Sequence, residues 1–114
     1  MVLEEAVALF KALGEPTRLR IVALLAEKEW CVCELVPLLG ISQPAVSTHM
    51  SRLKAAGLVK ERREGQWVHY ALQRDALEKA REVLSDMQPI LREWSEFSRW
   101  QNHPVSCRVE PGLS

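Results

Sequence analysis

Apolar residues recur at helical spacing through the first third of the chain. The stripe Leu3, Ala6, Val7, Phe10 and Leu13 predicts a helix over residues 2–13, which Gly14 ends. A second helix begins with Pro16 in its first turn, and its predicted core stripe is Leu19, Val22, Leu25 and Ala26. A third, short helix is predicted from the segment at 29–35 to about Leu39.

Residues 40–58 read as a tight turn followed by a fourth helix. Ser42 is a suitable N-cap, Pro44 falls in the first turn, and Gly57 ends the helix. The apolar face of this helix consists of Val46, Met50 and Leu53. The opposite face carries the polar residues Gln43, Ser47, Thr48, Ser51 and Arg52. Helix, glycine turn and helix form a helix-turn-helix, and such a polar face can enter a major groove. A solvated surface helix is the alternative.

The stretch after Gly57 alternates apolar and polar residues on both sides of Glu64-Gly65. This period of two around a glycine turn predicts a β-hairpin. Its tip carries Arg62, Arg63 and Gln66. A basic hairpin directly after a helix-turn-helix is typical of a wing that contacts phosphate or the minor groove. An ordinary surface hairpin is the alternative.

Residues 74–100 return to helical spacing, with a heptad-like apolar seam that Pro89 should kink or interrupt. The seam consists of Leu77, Ala80, Leu84, Met87, Leu91 and Trp94. We expect it to form a homodimer interface together with Leu3 and Val7, or to pack on the first helix of its own chain. The predicted fold is therefore mainly α: a winged helix-turn-helix of order α-α-α-α-β-β-α, with one domain over residues 1–100 that dimerises through its terminal helices. Residues 101–114 are expected to be a flexible tail.

Composition and charge refine this prediction. The chain has 114 residues, 47% of them apolar, which suits one domain with a real core. We find no apolar run long enough for a membrane span and no leader-like N-terminus, so we expect a cytoplasmic protein. The net charge is zero, but residues 42–72 hold five Lys or Arg against two Asp or Glu, a net +3. Double-stranded DNA is the expected partner. The candidate contacts are Ser42, Gln43, Ser47, Thr48, His49, Ser51, Arg52, Lys54, Arg62, Arg63 and Gln66.

The sequence contains no nucleophile–base pair, glycine-rich phosphate loop or HExxH motif, so we do not expect an enzyme. His49 should contact phosphate or pack at the helix edge, and His69 should be packed or hydrogen-bonded.

The notable chemistry is the pair Cys31 and Cys33. Cysteines so close rarely bridge to each other, and on an ideal helix their side chains diverge by about 200°. Binding a thiophilic ion would therefore unwind the start of the third helix, which braces the fourth. An inert core role is the alternative.

These residues resemble the ArsR/SmtB bacterial metalloregulators, the arsenical repressors especially. The likeness runs from about Leu9 to Leu72 and includes LFKALGEPTRLRIVALL, CVCEL, SQPAVSTHMSRLKAAGLV and REGQWVHYAL. It implies a homodimeric winged-helix repressor of a metal-resistance operon that leaves its operator DNA when the ion binds. The resemblance also implies that the repressor needs no cofactor for DNA binding.

The resemblance also implies which residues sense the inducer. Cys31 and Cys33 correspond to the inducer thiols, and As(III) or Sb(III) is the implied ion. The arsenical repressors often have a third cysteine three residues after the second, where this chain has Val36. Cys107 of the same or the partner subunit, a small thiol, or a two-sulfur site are the alternatives for completing the coordination. The last predicted helix has no histidine, so we expect no zinc site there. Two further functions stay open: a thiol-redox repressor with Cys107 as the resolving thiol, and a C-x-C oxidoreductase.

Overall fold

The computed structural model describes residues 2–101 as seven helices and a three-stranded antiparallel sheet. The elements in chain order are α1 (Val2–Leu13), α2 (Pro16–Glu27), β1 (Trp30–Cys31), α3 (Val32–Leu39), α4 (Gln43–Ala55), β2 (Val59–Glu64), β3 (Trp67–Leu72), α5 (Arg74–Ser85), α6 (Gln88–Glu93) and α7 (Ser95–Gln101). This is the predicted winged helix-turn-helix, with α3 and α4 as the helix pair and β2–β3 as the wing.

The ends of α4 are set by the signals in its sequence. The hydroxyl of Ser42 accepts a hydrogen bond from the backbone N–H of Ala45 at 3.3 Å and caps the helix. Gly40 ends α3 and Gly57 follows α4, with φ values of 69° and 75° that favour glycine. The turn between the two helices is therefore tight, and α3 packs directly against α4.

The wing belongs to a sheet that has one more strand than the sequence predicted. β2 and β3 pair from Val59↔Leu72 to Glu64↔Trp67, and β1 pairs with the other edge of β3. We predicted the segment at 29–35 as the start of a helix, which is wrong for Trp30 and Cys31. These two residues are extended, and α3 begins only at Val32.

The core lies where α2, α3, α4 and the sheet meet. Its fully buried side chains are Ile21, Leu35, Val46, Met50, Leu53 and Leu58. The predicted α4 stripe is confirmed. In α2, Val22 and Leu25 are buried as predicted, whereas Leu19 is 54% exposed and Ala26 is exposed, because the buried face includes Ile21 instead. In α1, the buried residues are Ala6, Leu9 and Ala12, so the predicted stripe is wrong at Leu3 and Val7, which are exposed; Phe10 and Leu13 are half-buried.

The predicted C-terminal helix is three helices. α5 ends at Ser85 and α6 ends at Glu93, so the chain breaks before Pro89 as well as after it. Pro89 lies in the first turn of α6, where a missing N–H costs nothing. The carboxylate of Asp86 accepts a hydrogen bond from the N–H of Gln88 at 3.0 Å and supports the new start.

The residues predicted for a dimer interface are mostly exposed in the single chain. Leu3, Val7, Leu84, Met87 and Trp94 are exposed, whereas Leu77 and Leu91 are half-buried. Cys107 and His103 lie outside the described residues. Within the described residues, the helices are too short or too polar to cross a membrane.

Candidate functional site

A cleft of about 700 Å³ lies between α3, the outer face of α4 and the wing. Cys31, Cys33 and Val36 contribute from the α3 side, and Arg63 and Gln66 from the wing. The remaining lining residues are Val32, Pro37, Gln43, Ser47, Ser51, Glu61, Trp67, Val68 and Tyr70. The cleft thus brings together three groups that the sequence suggested separately: the paired sulfurs, the polar helix face and the wing tip.

The polar face of α4 points away from the core. Gln43, Ser47 and Ser51 line the cleft, and each is exposed. Arg52 is exposed on the same helix, and its guanidinium forms no ion pair with any residue from 2 to 101. These side chains are therefore free to approach an external ligand, because the core stripe on the opposite face holds the helix in place.

Three other predicted α4 contacts already have partners. Ser42 caps the helix, and Thr48 donates its hydroxyl hydrogen bond to the carbonyl of Pro44 at 3.0 Å. The Nδ1 of His49 lies 3.5 Å from an Arg18 nitrogen and 3.7 Å from a Glu15 oxygen. His49 is half-buried at the edge of the helix, which is one of the two positions predicted for it.

The two wing arginines point to opposite faces of the sheet. In the β2–β3 register Arg63 lies opposite Val68, and Arg62 lies opposite His69. Alternation along a strand then places Arg63 on the cleft side with Glu61 and Tyr70, and Arg62 on the other side. The prediction of one basic tip that holds both arginines is therefore not supported by the register.

Arg62 is held by carboxylates on its own face of the wing. Its guanidinium donates hydrogen bonds to Glu29 and, at 2.8 Å, to Glu64. These bonds lower the pKa of both carboxyl groups and raise the pKa of Arg62. His69 lies beside the same cluster, 3.8 Å from Glu29 and 3.9 Å from Glu64. Arg62 therefore ties the segment before β1 to the wing.

Glu61 is the acidic centre of the cleft side. It accepts a hydrogen bond from the hydroxyl of Tyr70 at 3.1 Å, and Arg63 donates to it at 3.2 Å. Lys54 of α4 lies 3.9 Å away. The pKa of Glu61 is lowered, chiefly by the Tyr70 hydrogen bond. Burial, reinforced by Glu61, raises the pKa of Tyr70 to about 12. Glu61 and Tyr70 were not among the predicted site residues, although their two-residue spacing from Arg63 and Val68 places them on the same face of the sheet.

Cys31 caps α3 with its sulfur. Its Sγ accepts a hydrogen bond from the N–H of Cys33 at 3.3 Å, and Glu34 accepts one from the N–H of Cys31 at 2.9 Å. This reciprocal pair is a capping box in which a cysteine sulfur replaces the usual hydroxyl oxygen. The side chain of Cys31 is 5% exposed, whereas that of Cys33 is exposed.

Cys31 and Cys33 are joined by a disulfide, which corrects the expectation that they would not bridge. The expectation assumed that both lie on regular helix. Because Cys31 is extended and only Cys33 is helical, the two side chains converge on one side of the chain, with their Cα atoms 5.2 Å apart. No unwinding of α3 is therefore needed to bring the sulfurs together. Once reduced, this pair suits a thiophilic ion, since both cysteines are among the residues that line the cleft and Cys33 is exposed. The described residues contain no cluster of three or more His, Cys, Asp or Glu able to hold a metal.

The α4 helix exposes a polar face and packs on the core through its apolar face, and the wing that follows it carries Arg63 on the same side. This arrangement defines a winged-helix transcriptional regulator. Comparison with known proteins agrees: residues 15–61 match the family described as bacterial regulatory protein, arsR family. The arsenic resistance transcriptional regulator ArsR1 of Pseudomonas putida is 36% identical over 107 residues, 86% of this chain and 84% of that protein. The chain belongs to the ArsR family, whose members are transcriptional regulators and not enzymes.

Two further similarities cover the central region and the fold. The arsenical resistance operon repressor of Escherichia coli K12 is 49% identical over 67 residues, 58% of this chain and 57% of that protein. The solved structure of HlyU from Vibrio cholerae N16961 superimposes with a TM-score of 0.62 at 34% identity, covering 80% of this chain and 92% of that one. The resemblance inferred from the sequence is therefore confirmed at the level of the family.

Proposed function

We propose that this regulator is a homodimeric repressor that binds operator DNA through α4 and the wing, and that trivalent arsenic or antimony on Cys31 and Cys33 releases it. The observation that carries the proposal is the shared cleft, which is lined by both cysteines and by polar residues of α4 and the wing. Relatives named for arsenic resistance support a metalloid inducer.

In this proposal the cleft side of the molecule faces the duplex. Gln43, Ser47 and Ser51 reach base edges in the major groove, and Arg52 and Arg63 contact phosphate. Gln66 at the wing tip extends the contact. Ser42, Thr48, His49 and Lys54 have partners within the chain, so we assign them a positioning role. Arg62 keeps the wing in place from its opposite face.

The proposed dimerisation is supported by apolar side chains that are exposed near both ends of the described chain. Leu84, Met87 and Trp94 on the C-terminal helices and Leu3 and Val7 on α1 are large and open to solvent. A two-fold dimer would cover them and would present two α4 helices to successive major grooves.

Inducer binding reaches DNA by two routes. Cys33 lies on the helix that packs against α4, and Cys31 belongs to the sheet that includes the wing. Capture of an ion by both sulfurs changes the capping of α3 and the edge of the sheet together. Both elements that contact the duplex are thereby disturbed.

A mobility-shift titration tests the proposal. A duplex selected from a random pool would be bound by the reduced protein and then titrated with arsenite, antimonite, cadmium, zinc and peroxide. We expect release by arsenite and antimonite, and no release of a variant with serine at positions 31 and 33 that still binds the duplex. Release of that double variant by arsenite would place the sensor elsewhere.

The second candidate is a repressor that senses thiol oxidation, and the observed Cys31–Cys33 disulfide favours it. Because Cys31 pairs with Cys33, this form of the hypothesis does not need Cys107 as the resolving thiol. Release by peroxide in metal-free buffer, reversed by a reductant, would support this function. Unchanged DNA binding by the oxidised protein would exclude it.

A further inference from the structure

The paired sulfurs provide only part of the donor set that trivalent arsenic prefers. As(III) is pyramidal and soft, and it forms three bonds to sulfur where three thiolates are available. Val36, three residues after Cys33, forms part of the cleft wall and offers no donor. Within residues 2–101 the site therefore ends at two sulfurs.

The cleft beside those sulfurs has room for a further ligand. Its volume of about 700 Å³ falls in the range of small-molecule sites. Cys33 is the exposed member of the pair, so a third ligand on its arsenic would extend into this space. Gln43, Ser47 and Gln66 offer hydrogen bonds there. The guanidinium of Arg63 bonds to Glu61 through its Nε, but its side chain is 71% exposed, so its remaining N–H groups can reach a further anion. These groups suit a peptide-like molecule that carries carboxylates.

We propose that the inducer is arsenic capped by a small anionic peptide thiol of the glutathione class, whose sulfur is the third ligand. This inference rests on the proposed function and identifies the chemical form that the site accepts. Arsenic then bridges Cys31, Cys33 and the small thiol, and the body of the thiol lies in the cleft between α4 and the wing.

The chemistry balances without any other reactant. Two small thiols first reduce the Cys31–Cys33 disulfide and leave as their own disulfide. Arsenous acid then exchanges its three hydroxyl groups for three sulfurs. Each As–O bond is replaced by an As–S bond, and each thiol proton leaves with a hydroxyl group as water. The arsenic stays trivalent throughout.

This arrangement gives a direct cause for release. The capped arsenic fills the space between the polar face of α4 and the wing, and its carboxylates place negative charge where a phosphate backbone would approach. A bare ion on the two sulfurs fills less of the cleft and adds no carboxylate.

The test uses the whole 114-residue chain bound to its selected duplex. The protein is first reduced with a phosphine, which opens the disulfide but supplies no sulfur ligand. Arsenite is titrated with and without glutathione, on the wild type and on Cys107→Ser. We expect glutathione to lower the arsenite concentration for half-release by at least about tenfold in both proteins. Native mass spectrometry should show the protein carrying one arsenic and one glutathione. Phenylarsine oxide, in which carbon already occupies the third position, should release both proteins without glutathione.

Each other result has a distinct meaning. Full release of the wild type but not of Cys107→Ser by arsenite alone would make Cys107 the third ligand and overturn the inference. Equal release of both proteins by arsenite alone would show that two sulfurs suffice and would also overturn it. Failure of arsenite, with or without glutathione, and of phenylarsine oxide would instead refute the proposed function.

Discussion

Cys31 lies directly opposite His69 in the antiparallel pairing of β1 with β3. The sulfur-bearing segment is therefore an edge strand of the sheet that forms the wing, as well as the cap of α3. A change at Cys31 acts on both elements, because its backbone belongs to the sheet and its side chain belongs to the helix start.

The capping role of Cys31 predicts different effects for two small substitutions. Cys31→Ser keeps an N-cap acceptor, whereas Cys31→Ala removes it and should cost about 1 kcal/mol of unfolding free energy. Urea unfolding of the phosphine-reduced proteins measures the difference. Cys33→Ala is the matched control: its exposed side chain caps nothing, so the change should stay within about 0.5 kcal/mol. Equal stability of the alanine and serine variants at position 31 would show that the sulfur does not act as a cap.

The opposite faces of Arg62 and Arg63 predict unequal effects on DNA binding. Arg63→Ala should weaken binding to all duplexes and lower the salt slope by about 1, because one phosphate contact is lost. Arg62→Ala should change the salt slope less, since that guanidinium is directed to Glu29 and Glu64. Fluorescence anisotropy at several salt concentrations measures both. A larger slope change for Arg62→Ala would reverse our assignment of the wing face.

Tyr70 allows a direct test of the cleft electrostatics because it is the single tyrosine of the chain. Its ultraviolet titration should give a pKa of about 12 in the folded protein and about 10 in urea. Because the pKa of Tyr70 is higher in the folded protein than in the unfolded chain, the protonated tyrosine contributes to the free energy of unfolding. This contribution is complete below pH 10 and is lost as the pH rises towards 12.

Glu61→Gln separates the two causes of the Tyr70 shift. Burial remains in this variant while the carboxylate acceptor is removed, so the tyrosine pKa should fall but stay above its ordinary value. In acid the dependence of stability on pH has the opposite sign. Because the pKa of Glu61 is lower in the folded protein than in the unfolded chain, the ionised carboxylate stabilises the fold at pH values above its unfolded pKa, and this stabilisation is lost as the pH falls through its folded pKa. An unchanged tyrosine pKa in the variant would mean that Glu61 is not its partner.

The exposed seam predicts a change of oligomeric state. Leu84→Glu should convert the proposed dimer to a monomer and weaken operator binding, because a charge would be buried at the interface. Leu84 is 66% exposed in the single chain, so the monomer fold should survive. Leu19→Glu, on the 54% exposed Leu19 of α2, is the control and should stay dimeric. Sedimentation equilibrium decides between the two states.

Sequence periodicity predicted the elements that carry strong local signals. The α4 helix, its cap at Ser42 and the wing hairpin follow from spacing and turn residues, and all are present. The strand at Trp30–Cys31 was missed because two residues are too few to show a period of two. The disulfide was missed because it depends on the extended backbone of Cys31, which the helical assignment concealed.

The faces of the helices were harder to predict than their existence. Leu3 and Val7 in α1 are as apolar as any core residue, so hydrophobicity does not distinguish a core face from a face left exposed. The pairing of Arg62 with Glu29 joins groups 33 residues apart and depends on the folded sheet. The opposite directions of Arg62 and Arg63, in contrast, follow from strand alternation and were available from the sequence.

The α4 helix divides its residues cleanly between two tasks. Three apolar residues are at most 1% exposed and anchor the helix to the core: Val46, Met50 and Leu53. Gln43, Ser47 and Ser51 contribute nothing to that anchoring, since they lie on the outer surface. If α4 contacts the duplex as proposed, substitutions on the outer surface should alter which promoter is recognised with little effect on folding. Duplicated copies of this regulator would be able to acquire new target genes one residue at a time.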